Sequence, residues 1–177
     1  MLTPGPDSSL LLLIDFQARL APAMDGAQAA IANARRLAEG ARILGVETLV
    51  TEQNPEKLGP TVPELAEYAA APVAKMTFDA TAASNFPKEK LESRAIVVAG
   101  FETHVCVSQS VLALLAEGQL VLVAADAVGS RRAENRETAL RRMERFGAQI
   151  VTTEMILFEW LGSADHPRFR DISRLVK

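Results

Sequence analysis

In Ala95-Ile-Val-Val-Ala-Gly100 five apolar residues run unbroken into a glycine, and Phe101-Glu-Thr-His-Val-Cys106 follows at once. A run this short, with a β-branched centre and no polar residue alternating along it, reads as a strand covered on both faces. Leu10-Leu-Leu-Leu-Ile14 has the same character and stops abruptly at Asp15. Working outward, Val46 to Thr51, Pro72 to Lys75, Leu120 to Ala124 and Gln149 to Val151 are the remaining strand candidates. Amphipathic stretches lie between them. Residues 26–44 place Ala29, Ala30, Ile31, Ala34, Leu37, Ala38, Ala41 and Leu44 near helical spacing, and Gly45 provides a stop. Val105 to Glu117 and Glu134 to Phe146 read as helices, Lys88–Glu92 as a short one, Thr152 or Thr153 as the cap of a helix through Trp160, and Pro167 as the start of a last helix. Glu52 to Pro63, with three prolines and Gly59, reads as loop or short turns, and Met76 to Ala83 as a loop with at most one helical turn.

Strand and helix thus alternate about six times. Each parallel neighbour needs a long crossover, so the expected fold is α/β: a three-layer α/β/α, Rossmann-like arrangement around a central, mostly parallel sheet of about six strands. The 177 residues carry no internal repeat or low-complexity linker, and a single domain over residues 1–177 is expected. Hydrophobic residues make up 49% and charged residues 23%, the balance of a globular chain rather than a disordered one. The formal charge of −3 offers nothing to nucleic acid or an anionic membrane. No apolar run is long enough to span a bilayer, and residues 1–9 hold no basic cluster of the kind that opens a secretion signal. A lone cysteine in such a chain fits a reducing cytoplasm. Neither of the two glycine-rich phosphate-binding patterns occurs.

In open parallel sheets ligands bind beyond the carboxyl ends of the strands, so chemistry is sought in the polar residues there. Three stand out. Asp15 follows the first strand, Lys75 ends a short one, and Cys106 lies in the first helical turn after Gly100, with Thr103 placed to cap it. Taken singly, Asp15 reads equally as a turn-capping carboxylate, Lys75 as a solvated amine and Cys106 as a small core residue. Together they are complementary: a thiol, a base to take its proton, and an ammonium to hold the negative charges. A helix N-terminus would further favour the thiolate. His104, two residues before Cys106, does not face it and is assigned a loop or pocket-wall role; His166 is structural or exposed.

Leu-Leu-Ile-Asp15-Phe-Gln17, Ala-Lys75-Met-Thr-Phe78 and Gly100-Phe-Glu-Thr-His-Val-Cys106 resemble the three signatures of the isochorismatase-like cysteine hydrolases, in the family's order and over essentially the whole chain. Thr51-Glu-Gln-Asn-Pro55 and Leu58-Gly-Pro-Thr-Val-Pro-Glu-Leu65 are similar to the small isochorismatase-domain proteins. The resemblance implies a triad of Asp15, Lys75 and Cys106, a cis peptide between Phe101 and Glu102, and an oxyanion hole made by the backbone N–H groups of Glu102 and Cys106. It further implies hydrolysis of a small amide-like substrate at a C–N bond through a covalent Cys106 intermediate, and a homo-oligomer. Gln53 and Thr103 are candidate polar pocket contacts, and Phe16, Phe78 and Phe101 candidate apolar walls, although the phenylalanines read equally as core. Met155-Ile-Leu-Phe158 and Trp160-Leu161 suit either a subunit interface or the core. The Arg131–Arg145 stretch, with interleaved glutamates, reads as a solvated or subunit-contact face.

Two departures narrow the expectation. Nicotinamidases of this family carry metal-binding histidines after the second strand, and Thr51-Glu-Gln-Asn-Pro-Glu-Lys57 has none, so neither metal nor other cofactor is expected. Enzymes that cleave the vinyl ether of isochorismate typically lack the cysteine, so Cys106 favours the amidase-like branch. The vinyl-ether reaction and a catalytically silent binding or scaffold protein stand as the alternatives.

Overall fold

The computed structural model describes residues 4–177. Six strands form one sheet: β1 (Ser9–Ile14), β2 (Glu47–Gln53), β3 (Val73–Lys75), β4 (Ala95–Phe101), β5 (Val121–Gly129) and β6 (Gln149–Val151). Their spatial order is β3-β2-β1-β4-β5-β6, and every pairing is parallel. The α-helices are α1 (Ala27–Leu44), α2 (Pro55–Leu58), α3 (Ser108–Ala116), α4 (Ala133–Arg145), α5 (Thr153–Leu161) and α6 (Phe169–Leu175). Among the described residues no helix is long and apolar enough to cross a membrane.

The unbroken apolar runs are explained by the two covered faces. Leu11 and Leu13 of β1, with Val97 and Ala99 of β4, pack beneath α1, α5 and α6 in a cluster with Leu37, Trp160 and Ile172. Leu10, Leu12 and Ile14, with Ile96 and Val98, face α3 and α4 through Val107, Val111, Leu114 and Met143. Trp160 is core, and its indole N–H donates to Ser9 Oγ at 3.0 Å. Ile156, Leu157 and Leu161 are buried beside it, whereas Met155 and Phe158 are exposed.

Several boundaries differ from those the sequence suggests. β2 continues through Glu52 and Gln53, because they pair with Ala74 and Lys75 of β3 and because the Glu52 carboxylate accepts from Thr61 N and Thr61 Oγ1, each at 2.7 Å. β5 extends to Gly129 past an irregularity in its register with β4. The expected helix from Val105 begins instead as a wide π-type turn, Thr103–Val107, and α3 proper starts at Ser108. Lys88–Leu91 and Ala80–Ala82 are single 3-10 turns. Thr152 does cap α5, accepting from Met155 N.

The strand order reverses direction of growth at β1 and β4, which are neighbours. The crevice outside their carboxyl ends is where such sheets accept ligands. Asp15 leaves the end of β1 and the Cys106 turn leaves the end of β4. The two segments approach closely because Gly100 lies in register with Ile14. A Cβ on Gly100 would fall 2.6 Å from the Ile14 carbonyl oxygen, 2.7 Å from Ile14 Cβ and 3.0 Å from Val107 Cγ2. Gly100→Ala is therefore expected to destabilise the fold by about 1–3 kcal/mol, the usual cost of overpacking, read as a lower denaturation midpoint with an unchanged slope.

Candidate active site

Asp15 is fully buried, with its backbone in the left-handed region at φ 54°. Its amide donates to Thr51 O at 3.1 Å, its Oδ1 accepts from Thr51 Oγ1 at 2.7 Å, and its Oδ2 accepts from Lys75 Nζ at 2.7 Å. The Lys75 ammonium also donates to Gln53 Oε1 at 2.8 Å and lies within 3.2 Å and 3.4 Å of the Thr77 and Phe78 carbonyls. A buried charge needs all of these partners, since removing it from water without them costs several kcal/mol. Strands β2 and β3 bring them together: Gln53 is in register with Lys75, and the Gln53 amide side chain returns a bond to Met76 O at 2.9 Å. Gln17 braces the same strand end, accepting from Gln53 N at 2.7 Å and donating to Gln53 O at 3.0 Å and Gly59 O at 2.7 Å.

Cys106 joins this pair from the other side of the crevice and is 5% exposed. Burial pushes its thiol up to about 12, the neighbouring Asp15 carboxylate adds to the rise through charge and a hydrogen bond, and Lys75 opposes it. The resting group is thus the thiol, not the thiolate that a helix N-terminus would favour. Desolvation and the adjacent anion together outweigh the lysine. Ser110 Oγ donates to Cys106 O at 2.7 Å and accepts from Ala80 N at 2.9 Å, which ties the Cys106 turn to the segment following Lys75.

The peptide between Phe101 and Glu102 is trans, as are all peptides among the described residues, contrary to the cis bond that the resemblance implies. The chain turns instead through a left-handed Glu102, φ 55° and ψ 62°. The Glu102 carbonyl accepts from Val105 N at 2.8 Å and Val107 N at 3.4 Å. Its carboxylate is buried, takes Arg131 Nε at 2.6 Å, and lies 3.4 Å from His104 Nδ1. His104 Nδ1 also meets Ser130 Oγ at 3.0 Å, so the ring belongs to the loop framework. His166 Nδ1 accepts from Arg168 N, a structural contact. Thr103 is buried but makes no capping bond, and its Oγ1 has no partner.

Of the proposed pocket walls, Phe16 and Phe101 are fully buried and pack ring against ring, with centroids 4.6 Å apart, in the α1-side core. Phe78 is 51% exposed and Met76 71%, both on the loop that wraps the Lys75 ammonium. Beside this loop lies a cavity of about 430 Å³ whose walls include Pro55, Lys75, Met76, Thr77 and Asn85. Among the described residues no group of three or more His, Cys, Asp or Glu side chains is arranged so that it could hold a metal ion. The sequence reading missed Thr51 and Ser110 altogether, and assigned Gln53 to the pocket where the structure shows it holding Lys75.

The profile of the isochorismatase domain matches residues 9–155. The chain belongs to the isochorismatase-domain family. Mouse isochorismatase domain-containing protein 2A is 36% identical over 97% of the chain and 84% of its own length, and the bovine protein 2 is 38% identical over the same shares. Among solved structures, the MAR1 ribonuclease from Caenorhabditis elegans superposes with a TM-score of 0.91 at 36% identity, covering 98% of this chain and 91% of that one. YcaC from Pseudomonas aeruginosa, solved with hexane-2,5-diol and covalent acrylamide, gives a TM-score of 0.83 at 26% identity over 98% and 95%. At the family level the protein is therefore an isochorismatase-like hydrolase.

The electrostatics give a signed expectation. Asp15→Asn removes a charge that holds the thiol protonated while leaving Lys75, so the pH midpoint for iodoacetamide alkylation of Cys106 moves down. At pH 8 the alkylation rate is expected to rise by about threefold or more, since one pKa unit corresponds to a tenfold change in thiolate population. Intact mass against time reads it.

Proposed function

We propose that the protein is a cysteine hydrolase that cleaves a small amide-like C–N bond through a covalent intermediate on Cys106. The observation that carries this reading is the buried Asp15–Lys75 ion pair at 2.7 Å with a protonated thiol beside the carboxylate. A thiol held neutral needs a base at the moment of attack, and the neighbouring Asp15 carboxylate is suited to be that base. In this scheme the Cys106 proton passes to Asp15 as sulfur adds to the carbonyl carbon. The oxyanion is received by the backbone N–H of Cys106, a kind of donor typically worth about 3 kcal/mol to the barrier. The Glu102 N–H, which the resemblance paired with it through a cis peptide, loses that rationale because the peptide is trans. The proton then goes to the departing amine, the C–N bond breaks, and water, deprotonated by Asp15, hydrolyses the thioester and restores the thiol. Lys75 keeps the carboxylate in place throughout and limits the cost of moving charge in a dry site.

Support also comes from the relative from P. aeruginosa, whose structure holds a covalent acrylamide. The nematode relative carries the name ribonuclease. For this chain a formal charge of −3 and a thiol–carboxylate pair favour a small carbonyl substrate over a polyanion. The reading also takes the protein to act in the cytoplasm, as a single domain and as a homo-oligomer. The exposed Met155 and Phe158 on α5 are suited to a subunit contact.

The test is a panel of small primary and secondary amides followed by intact-mass detection of a Cys106 adduct and by product release. Wild type is expected to form an acyl adduct and turn over with at least one member, Cys106→Ala to do neither, and Asp15→Asn to lose turnover by about 10²–10⁴-fold despite its faster alkylation. Cleavage of isochorismate that survives in Cys106→Ala would point to the vinyl-ether reaction instead. A thiol that forms no adduct with any member, together with an alkylation rate indifferent to Asp15→Asn, would leave the scaffold role.

A further inference from the structure

Glu102 is a conspicuous residue for its position. A non-glycine residue is strained in the left-handed region, whereas glycine would occupy φ 55° freely. Asp15 and Asn54, the other left-handed residues that follow strands of the sheet, have short polar side chains that tolerate the conformation. A glutamate does not share that tolerance, so what its side chain does must offset the strain. That side chain is buried, and its Oε1 forms an ion pair with Arg131 Nε at 2.6 Å. Arg131 and Ser130 follow Gly129, which is in register with Phe101, and Ser130 O accepts from Asp25 N at 3.0 Å. The carboxylate therefore links the turn after β4 to a segment anchored independently after β5. From the backbone of the same residue hangs the nucleophile turn, through the bonds from Val105 N and Val107 N.

We propose that Glu102 is a positioning residue whose carboxylate, locked by Arg131, acts as a strut that fixes the left-handed turn and with it the placement of Cys106. The strut rests on the reading of Cys106 as nucleophile but adds to it a contact that lies outside the Asp15–Lys75–Cys106 group. It works through geometry. Charge would act differently: Glu102 is one of the anions that keep the thiol protonated, so if charge were its only role, its loss would make the sulfur more reactive. The two roles predict opposite signs for the same substitution.

The experiment measures saturation kinetics of Cys106 modification by acrylamide, as intact mass against time, over pH 6–10. The variants are Glu102→Gly, which keeps the left-handed turn accessible while removing the strut, and Arg131→Gln, which removes the partner at a side chain that is 61% exposed and so leaves the core untouched. Both are expected to lower the maximal rate about tenfold, a loss on the scale that misplaced reacting groups produce, with less than a threefold change in half-saturating concentration. Arg131→Lys should recover part of the loss, because an ammonium can still pair with the carboxylate. Faster modification in Glu102→Gly with slower modification in Arg131→Gln would overturn the strut in favour of charge alone. Wild-type rates in Arg131→Gln would overturn it as well, whatever the fate of the Glu102 variant. Asp15→Asn runs in parallel: an unchanged pH profile there defeats the hydrolase reading itself, whereas an altered profile beside unaffected Arg131 variants defeats only the strut.

Discussion

An ammonium group sealed from solvent must find its counter-charge and its hydrogen-bond acceptors inside the protein, and this requirement organises the site. Lys75 obtains them from Asp15, Gln53 and two carbonyls of the loop that follows it. Three strands have to end at the same level for this to happen. β1 supplies the carboxylate, β2 the amide and the Thr51 hydroxyl, and β3 the lysine itself, all in a fixed parallel register. Loss of either charged partner would strand the other in a medium that cannot solvate it, at a cost of about 3–5 kcal/mol. Such a pair adds little to stability by itself, and in the proposed reading it keeps a charged base in one place.

The thiol is arranged differently from the pair it meets. It is held by backbone geometry: a left-handed residue, a wide π-type turn and a serine that ties the turn to the neighbouring loop. Left-handed residues follow β1, β2 and β4, the three strands whose ends surround the crevice, and such backbone strain persists only where surrounding contacts over-determine it. The site holds a protonated thiol near a buried carboxylate, the arrangement on which the proposed hydrolase chemistry rests.

Much of this was legible in the residues. Unbroken apolar runs at Leu10–Ile14 and Ala95–Gly100 give strands covered on both faces, and their alternation with amphipathic stretches gives a parallel sheet. Asp15, Lys75 and Cys106 could be placed at strand ends by position alone, and the chain order of the surrounding motifs resembles the family to which the comparisons assign it. Other features depend on pairing that periodicity cannot display. Glu52 and Gln53 look like the start of a loop until β3 is known to lie alongside them. The phenylalanines near the motifs carry no signal that separates pocket from core; Phe16 and Phe101 are core because they meet each other beneath α1. A thiol that needs a base was expected from the sequence, whereas the extent to which burial raises it depends on packing that the sequence does not display.

The strand that delivers the lysine is also the shortest kind in the sheet, three residues long, and it lies at the rim with hydrogen-bonded company on one side only. Rims fray before centres do, because fewer contacts must be given up to open them. Opening of that rim would take the ammonium out of its socket while the middle strands stay paired, so the lifetime of the site is expected to follow the border of the sheet rather than its core. Thermal inactivation ahead of bulk melting is the natural behaviour of a machine whose most costly charge is carried by its outermost thread.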